Sequence, residues 1–207
     1  MTTRRLHNKR NDLITAALRL FAEKGIKATT VRDIAHEAGV TEGALYRHFD
    51  SKEHLAQGLF AECARMFHQH LNAALDGVTG AHDQLCALVA GFFGFAETNP
   101  AAYEYVIARH HDDLGGLPPG QPLPKDLIVE VIREGVAAGK LRALDPELGA
   151  AIIIGICIRT IFFLDRGIIE ADRQQVIAEV CEALERVFDI QPRSRKGRTG
   201  PRSVIRV

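Results

Sequence analysis

Apolar residues recur at three- and four-residue spacing along nearly the whole chain, and no Val/Ile/Thr-rich run alternates for long at period two. That pattern predicts an all-α protein of about nine helices. The first is expected over 11–24, where Leu13, Ile14, Ala17, Leu18, Leu20 and Phe21 share a face and Gly25 supplies the stop. Two short helical patterns follow within 29–49, broken by a Gly39-Val40-Thr41 corner. A long fourth helix is expected over 52–75, capped by Asp50 or Ser51, with Glu53 spaced for a capping box with Asp50. Five more follow: 82–98, one opening at Asn99-Pro100, 124–138, one from Asp145-Pro146 to 165, and one from Asp172 to 188. Glycines and prolines crowd 112–124, the least regular interior stretch, and apolar periodicity stops at Pro192. The tail 192–207 is expected to be disordered.

The stretch 29–49 carries the most specific local pattern. Thr30 is spaced as an N-cap with Asp33 bonding back to it, and Val31, Ile34, Ala35 and Ala38 share one face. Gly39 turns the chain, Val40 plugs the corner and Thr41 caps the next helix. Two helices across a short glycine turn make a helix-turn-helix, whose second helix lies in the DNA major groove. Leu45 and Phe49, four apart, face inward, so Thr41, Glu42, Ala44, Tyr46, Arg47 and His48 point out, and Gly43 permits close backbone approach. Arg47 can address a phosphate or a guanine edge, Tyr46 and His48 phosphates, and Thr41 a phosphate or a thymine methyl. Lys52 in the first turn of the fourth helix, and Thr29 or Thr30 at the start of the second, are further phosphate candidates.

Charge supports a nucleic-acid partner once its distribution is followed. Net charge is zero, yet 1–56 carry ten Lys/Arg against seven Asp/Glu, 57–191 ten against nineteen, and 192–207 six against none. A basic reading end on an acidic body is the expected segregation. The four cysteines include no C-x-x-C pair, so they are expected as buried thiols of a cytoplasmic protein, without metal or cofactor. The charged N-terminus is not followed by a signal-type apolar stretch, and the apolar run 148–164 is short and holds Arg159, so no membrane association is expected. No Ser/His/Asp or Cys/His set and no Gly-rich phosphate loop stands out, which argues against an enzyme with catalytic residues.

Residues 11–60 resemble the N-terminal domain of the TetR/AcrR family of transcriptional regulators. The likeness rests on Leu20-Phe21-Ala22-Glu23-Lys24-Gly25, Thr29-Thr30-Val31-Arg32-Asp33-Ile34-Ala35, the run from Ala38 through Gly39 to Phe49, and Ser51-Lys52-Glu53-His54-Leu55. The resemblance implies DNA contacts at Thr30, Thr41, Gly43, Tyr46, His48 and Lys52, with base readout from Thr41, Glu42, Ala44 and Arg47. Glu42 departs from the small or basic residue frequent there, which leaves the operator sequence open. It further implies a homodimeric repressor released from a pseudo-palindromic operator by a small-molecule effector. Residues 1–51 would then be the helix-turn-helix domain, 52–191 a helical effector-binding and dimerisation domain joined through helix 52–75, and 192–207 the basic tail. Pocket candidates in the body are Phe92, Phe93, Phe95, Tyr103 and Phe162, with Arg109 and His110 as polar anchors. Dimer candidates are Ile152, Ile156, Arg159 and Phe163 on the eighth helix and Val176, Val180, Leu184 and Val187 on the ninth. A body that docks a protein instead of a small molecule is the alternative, and a helical enzyme the remote one.

Overall fold

A computed structural model describes residues 2–25, 27–109 and 120–190, and among them the chain forms nine α-helices and no strand. In chain order these are α1 (Thr2–Lys24), α2 (Val31–Glu37), α3 (Glu42–Leu45), α4 (Lys52–Ala74), α5 (Ala81–Thr98), α6 (Pro100–Arg109), α7 (Pro124–Ala137), α8 (Pro146–Asp165) and α9 (Arg173–Val187). The expected all-α architecture is observed, and most boundaries fall within a residue or two of the periodicity. Two details differ. α1 begins at Thr2, well before residue 11, because Arg, Leu and Lys sustain a helix without an apolar face to announce it. α4 is capped by Ser51, whose Oγ accepts from the His54 N–H at 3.0 Å, and the Asp50 N–H donates to the His54 ring at 3.2 Å. His54 thus takes the reciprocal part expected of Glu53. Residues 110–119 and the tail 192–207 lie outside the described residues.

α4 is the axis of the molecule, packing against α5, α6 and α7. Its Phe67, 1% exposed, stacks on Phe95 of α5 at 4.3 Å between centroids, and meets Phe92 edge-on at 4.7 Å and Tyr103 of α6 at 6.2 Å. Gly91 lets α5 come this close, since a Cβ there would lie 3.0 Å from Leu71 and 3.2 Å from Ala74. One continuous core results, running from Leu13 and Leu20 of α1 through Leu45 and Phe49 to Cys157, Leu184 and Phe188.

Candidate nucleic-acid interface

α2 and α3 are held by local polar contacts. The Thr30 Oγ accepts from the Asp33 N–H at 3.1 Å, and the Thr30 N–H donates to Asp33 Oδ2 at 2.8 Å, the reciprocal pair expected from the sequence. The same Asp33 oxygen receives Lys24 Nζ at 2.7 Å, tying the end of α1 to the start of α2. Lys24, then the Thr30 N–H and hydroxyl, hold the Asp33 carboxyl far below the usual carboxylate range. Arg19 extends the brace to Glu37 at 2.7 Å. Gly39 sits at φ 63, a conformation that costs glycine nothing, and the Val40 N–H returns to the Ala35 carbonyl at 2.9 Å. Thr41 caps α3, its Oγ accepting from the Ala44 N–H at 3.0 Å.

α3 is a single regular turn. Helical bonding continues past it, with the His48 and Phe49 amides both donating to the Leu45 carbonyl at 2.9 and 3.1 Å. Leu45 and Phe49 are wholly buried and fix the turn on the core. Thr41, Glu42, Gly43, Tyr46 and Arg47 are exposed, Ala44 and His48 half-buried, and Thr30 at the start of α2 is exposed as well. Thr29 departs from expectation: it is buried, and its hydroxyl donates to the Gly25 carbonyl at 2.8 Å, which turns it away from any phosphate. Lys52 opens α4, with its side chain outside the described residues.

In the body the pocket candidates separate. Phe92, Phe95 and Tyr103 gather around Phe67, Tyr103 also lines one cleft with Phe162 of α8, which is 42% exposed, and Phe93 is buried on α5. The side chain of Arg109 and the whole of His110 lie outside the described residues. The aromatic cluster borders a small apolar cavity of about 20 Å³, lined by Phe60, Phe67, Phe92, Val106, Ile107 and Leu123, with Lys125 at its edge. Tyr103 is 7% exposed, and its hydroxyl has no hydrogen-bond partner among the described residues; burial pushes its pKa up.

Two contacts missed by sequence reasoning tie α6 and the start of α7 to α4. The Tyr105 hydroxyl of α6 donates to the Ala56 carbonyl of α4 at 3.0 Å, and Gln121, just before α7, donates to the Ala61 carbonyl at 2.7 Å. Tyr105 also stacks on Phe21 of α1 at 5.2 Å. Tyr105 was legible only as an aromatic at helical spacing, and Gln121 carried no signal.

The dimer candidates also divide. On α8, Ile152 and Ile156 are half-buried, and Arg159 is exposed with its guanidinium 4.6 Å from the Phe163 ring and 5.1 Å from that of Phe162. On α9, Val176, Val180 and Leu184 are buried inside the protomer, where α9 packs on α5, so a second chain cannot reach them; Val187 is half-buried. Apolar spacing identified the stripe, and Val176, Val180 and Leu184 fall on the side of it that faces the body.

A helix-turn-helix set on a helical body defines a one-component transcriptional regulator. Residues 13–59 match the model described as "Bacterial regulatory proteins, tetR family". The HTH-type transcriptional repressor KstR2 of Rhodococcus jostii RHA1 is 57% identical over 154 residues, 68% of this chain and 72% of that protein. KstR2 of Mycolicibacterium smegmatis is 33% identical over 149 residues, with the same coverage. Among solved structures, a FadR transcriptional regulator from Bacillus subtilis in complex with stearoyl-CoA shares the fold at TM-score 0.65 and 20% identity, covering 84% of this chain and 96% of that one. The chain belongs to the TetR family, and it is a DNA-binding transcriptional repressor.

Thr41→Ala removes the side-chain acceptor that starts α3 and is expected to cost about 1 kcal/mol of stability. Thr41→Ser should restore it, with denaturant midpoints as the measurement; equal midpoints for the Ala variant and the native chain would show that the cap contributes nothing.

Proposed function

We propose that two copies of the chain assemble through α8 and the adjoining flank of α9, and that the two α3 turns read the halves of a pseudo-palindromic operator. α8 supports the assembly. Its most apolar window has a mean hydropathy of 2.0 yet is only 28% buried in the protomer, and Leu148 and Phe162 are 53% and 42% exposed. A second copy of α8 is the cover that such a surface calls for in a two-fold assembly. On the DNA, Thr41, Glu42, Ala44 and Arg47 face base edges, while Thr30, Gly43, Tyr46, His48 and Lys52 address the phosphates. The site of action is the cytoplasm, and the output is transcriptional control without turnover of the ligand.

The ligand we propose is an amphipathic acyl thioester of the class that the Bacillus subtilis FadR structure holds. The mostly apolar cleft of about 420 Å³ that Tyr103, Ile107, Ile161 and Phe162 line between α6 and α8 suits an acyl chain, and the unpartnered Tyr103 hydroxyl can donate to a carbonyl oxygen. Filling the cleft displaces Ile107, two residues from Tyr105, whose hydrogen bond to α4 carries the shift toward α3.

Three outcomes test this reading. In an anisotropy titration with operator DNA, affinity falls steeply with salt; Tyr46→Phe weakens binding to all sequences, whereas Arg47→Ala erases about 1–3 kcal/mol of discrimination at one base position. DNA retention indifferent to salt would refute the assignment of this surface. Phe162→Glu is expected to leave the protein helical but monomeric in sedimentation equilibrium; a persisting dimer would exclude α8 as the interface. Stearoyl-CoA should raise the unfolding temperature and release the operator where coenzyme A does not, with Tyr103→Phe binding it roughly 2- to 10-fold more weakly, the worth of one neutral hydrogen bond. An unchanged unfolding temperature would discard this ligand class.

A further inference from the structure

The seam between α5 and α9 holds a cluster that DNA reading and ligand response leave unused. His82 and Cys86 stand one turn apart on α5, and Cys181 and Glu185 one turn apart on α9. His82 Nε2 meets Glu185 Oε1 at 2.9 Å across the seam, and its Nδ1 meets Asp83 at 2.9 Å. The Cys86 sulfur lies 3.7 Å from His82 Nε2, and because Arg173 of α9 reaches the Phe93 carbonyl of α5 at 3.5 Å toward the other end of the seam, the helices run antiparallel and Cys86 faces Cys181. The free cysteines Cys63 and Cys157 are wholly buried, while Cys86 and Cys181 are both half-exposed. An open cleft lined by Gly80, His82, Asp83, Lys140, Arg142 and Asp189 lies alongside. Among the free thiols, then, one pair is both mutually adjacent and reachable from solvent.

We propose that Cys86 and Cys181 form a redox-active dithiol, which a hydroperoxide converts into a disulfide linking α5 to α9. Cys181 attacks first. The hydrogen bond from Cys86 holds its thiol below the ordinary value, while Cys86 is pushed up, and burial pushes Cys63 and Cys157 up to about 12, which keeps them protonated. The Cys181 thiolate attacks the terminal peroxide oxygen; the O–O bond breaks, the alkoxide leaves and takes up a proton as the alcohol, and Cys181 becomes a sulfenic acid. Cys86 then gives up its proton and its sulfur attacks that of Cys181; the S–S bond forms, the S–O bond breaks, and hydroxide leaves with the proton as water. Two thiols lose two electrons in total and one peroxide gains them. Reversible disulfides in a reducing compartment are typically of this sensing kind. The pair lies in the seam between α5 and α9, fixed by the His82–Glu185 contact.

The test is intact-mass and peptide analysis of the reduced full-length chain after treatment with hydrogen peroxide. The expected product has lost the mass of two hydrogens, resists alkylation at Cys86 and Cys181 alone, runs as an unlinked chain on a non-reducing gel, and reverts with dithiothreitol. Cys86→Ser is expected to stop at a sulfenic acid on Cys181, trapped by dimedone, and Cys181→Ser to give neither product. Thiols that both remain alkylatable, a chain-to-chain disulfide, or direct over-oxidation without a crosslink would overturn the proposal.

Discussion

The burial of Phe67 against three aromatic rings is the constraint on which the rest of the molecule depends. α4 begins at the reading end and runs through the middle of the body, and Phe67 fastens it there between α5 and α6. Stacked and edge-on rings prefer discrete arrangements. A helix anchored by such a cluster changes position by repacking as a unit, because a dense interior does not deform continuously. The cleft that Tyr103 lines therefore sits where a change in occupancy has the most leverage on α4.

The reading end is built differently. Its stability comes from short-range polar devices: the Thr30–Asp33 box, the Lys24 and Arg19 braces, and the Thr41 cap. These are exposed contacts of modest individual worth, and they shape the module more than they anchor it. Its hold on the body is apolar, through Leu45, Phe49, and Phe21 against Tyr105. A module rigid within itself but attached by a few rings can shift as a block without losing the geometry of its outward residues.

What the sequence made legible follows the range of the forces involved. Caps at Thr30, Thr41, Asp145 and Asp172 act over two or three residues, so local spacing revealed them, and the outward set from Thr41 to His48 followed from the inward pull of Leu45 and Phe49. Thr29 and Thr30 are alike in chemistry and adjacent, and only the folded corner distinguishes the hydroxyl that turns to Gly25 from the one that caps α2. Val176, Val180 and Leu184 were recognisable as a buried stripe, but periodicity says that a face is covered and not by what; α5 covers it. Tyr105 with Ala56, Gln121 with Ala61 and Cys86 with Cys181 join residues far apart in the chain, and no local pattern carries such pairs.

The brevity of α3 limits how much text this protein can read. Four residues at 1.5 Å per residue present about 6 Å of helix, against about 3.4 Å per base pair, so the regular turn faces roughly two base pairs. An address that short recurs constantly in a genome, and under the proposed pairing selectivity comes from the fixed spacing and orientation of two such readings. The proposed pairing therefore lodges the alphabet of the operator in a handful of side chains and its grammar in the apolar face of α8. Exchanging the former would redirect the protein to new genes with the fold untouched.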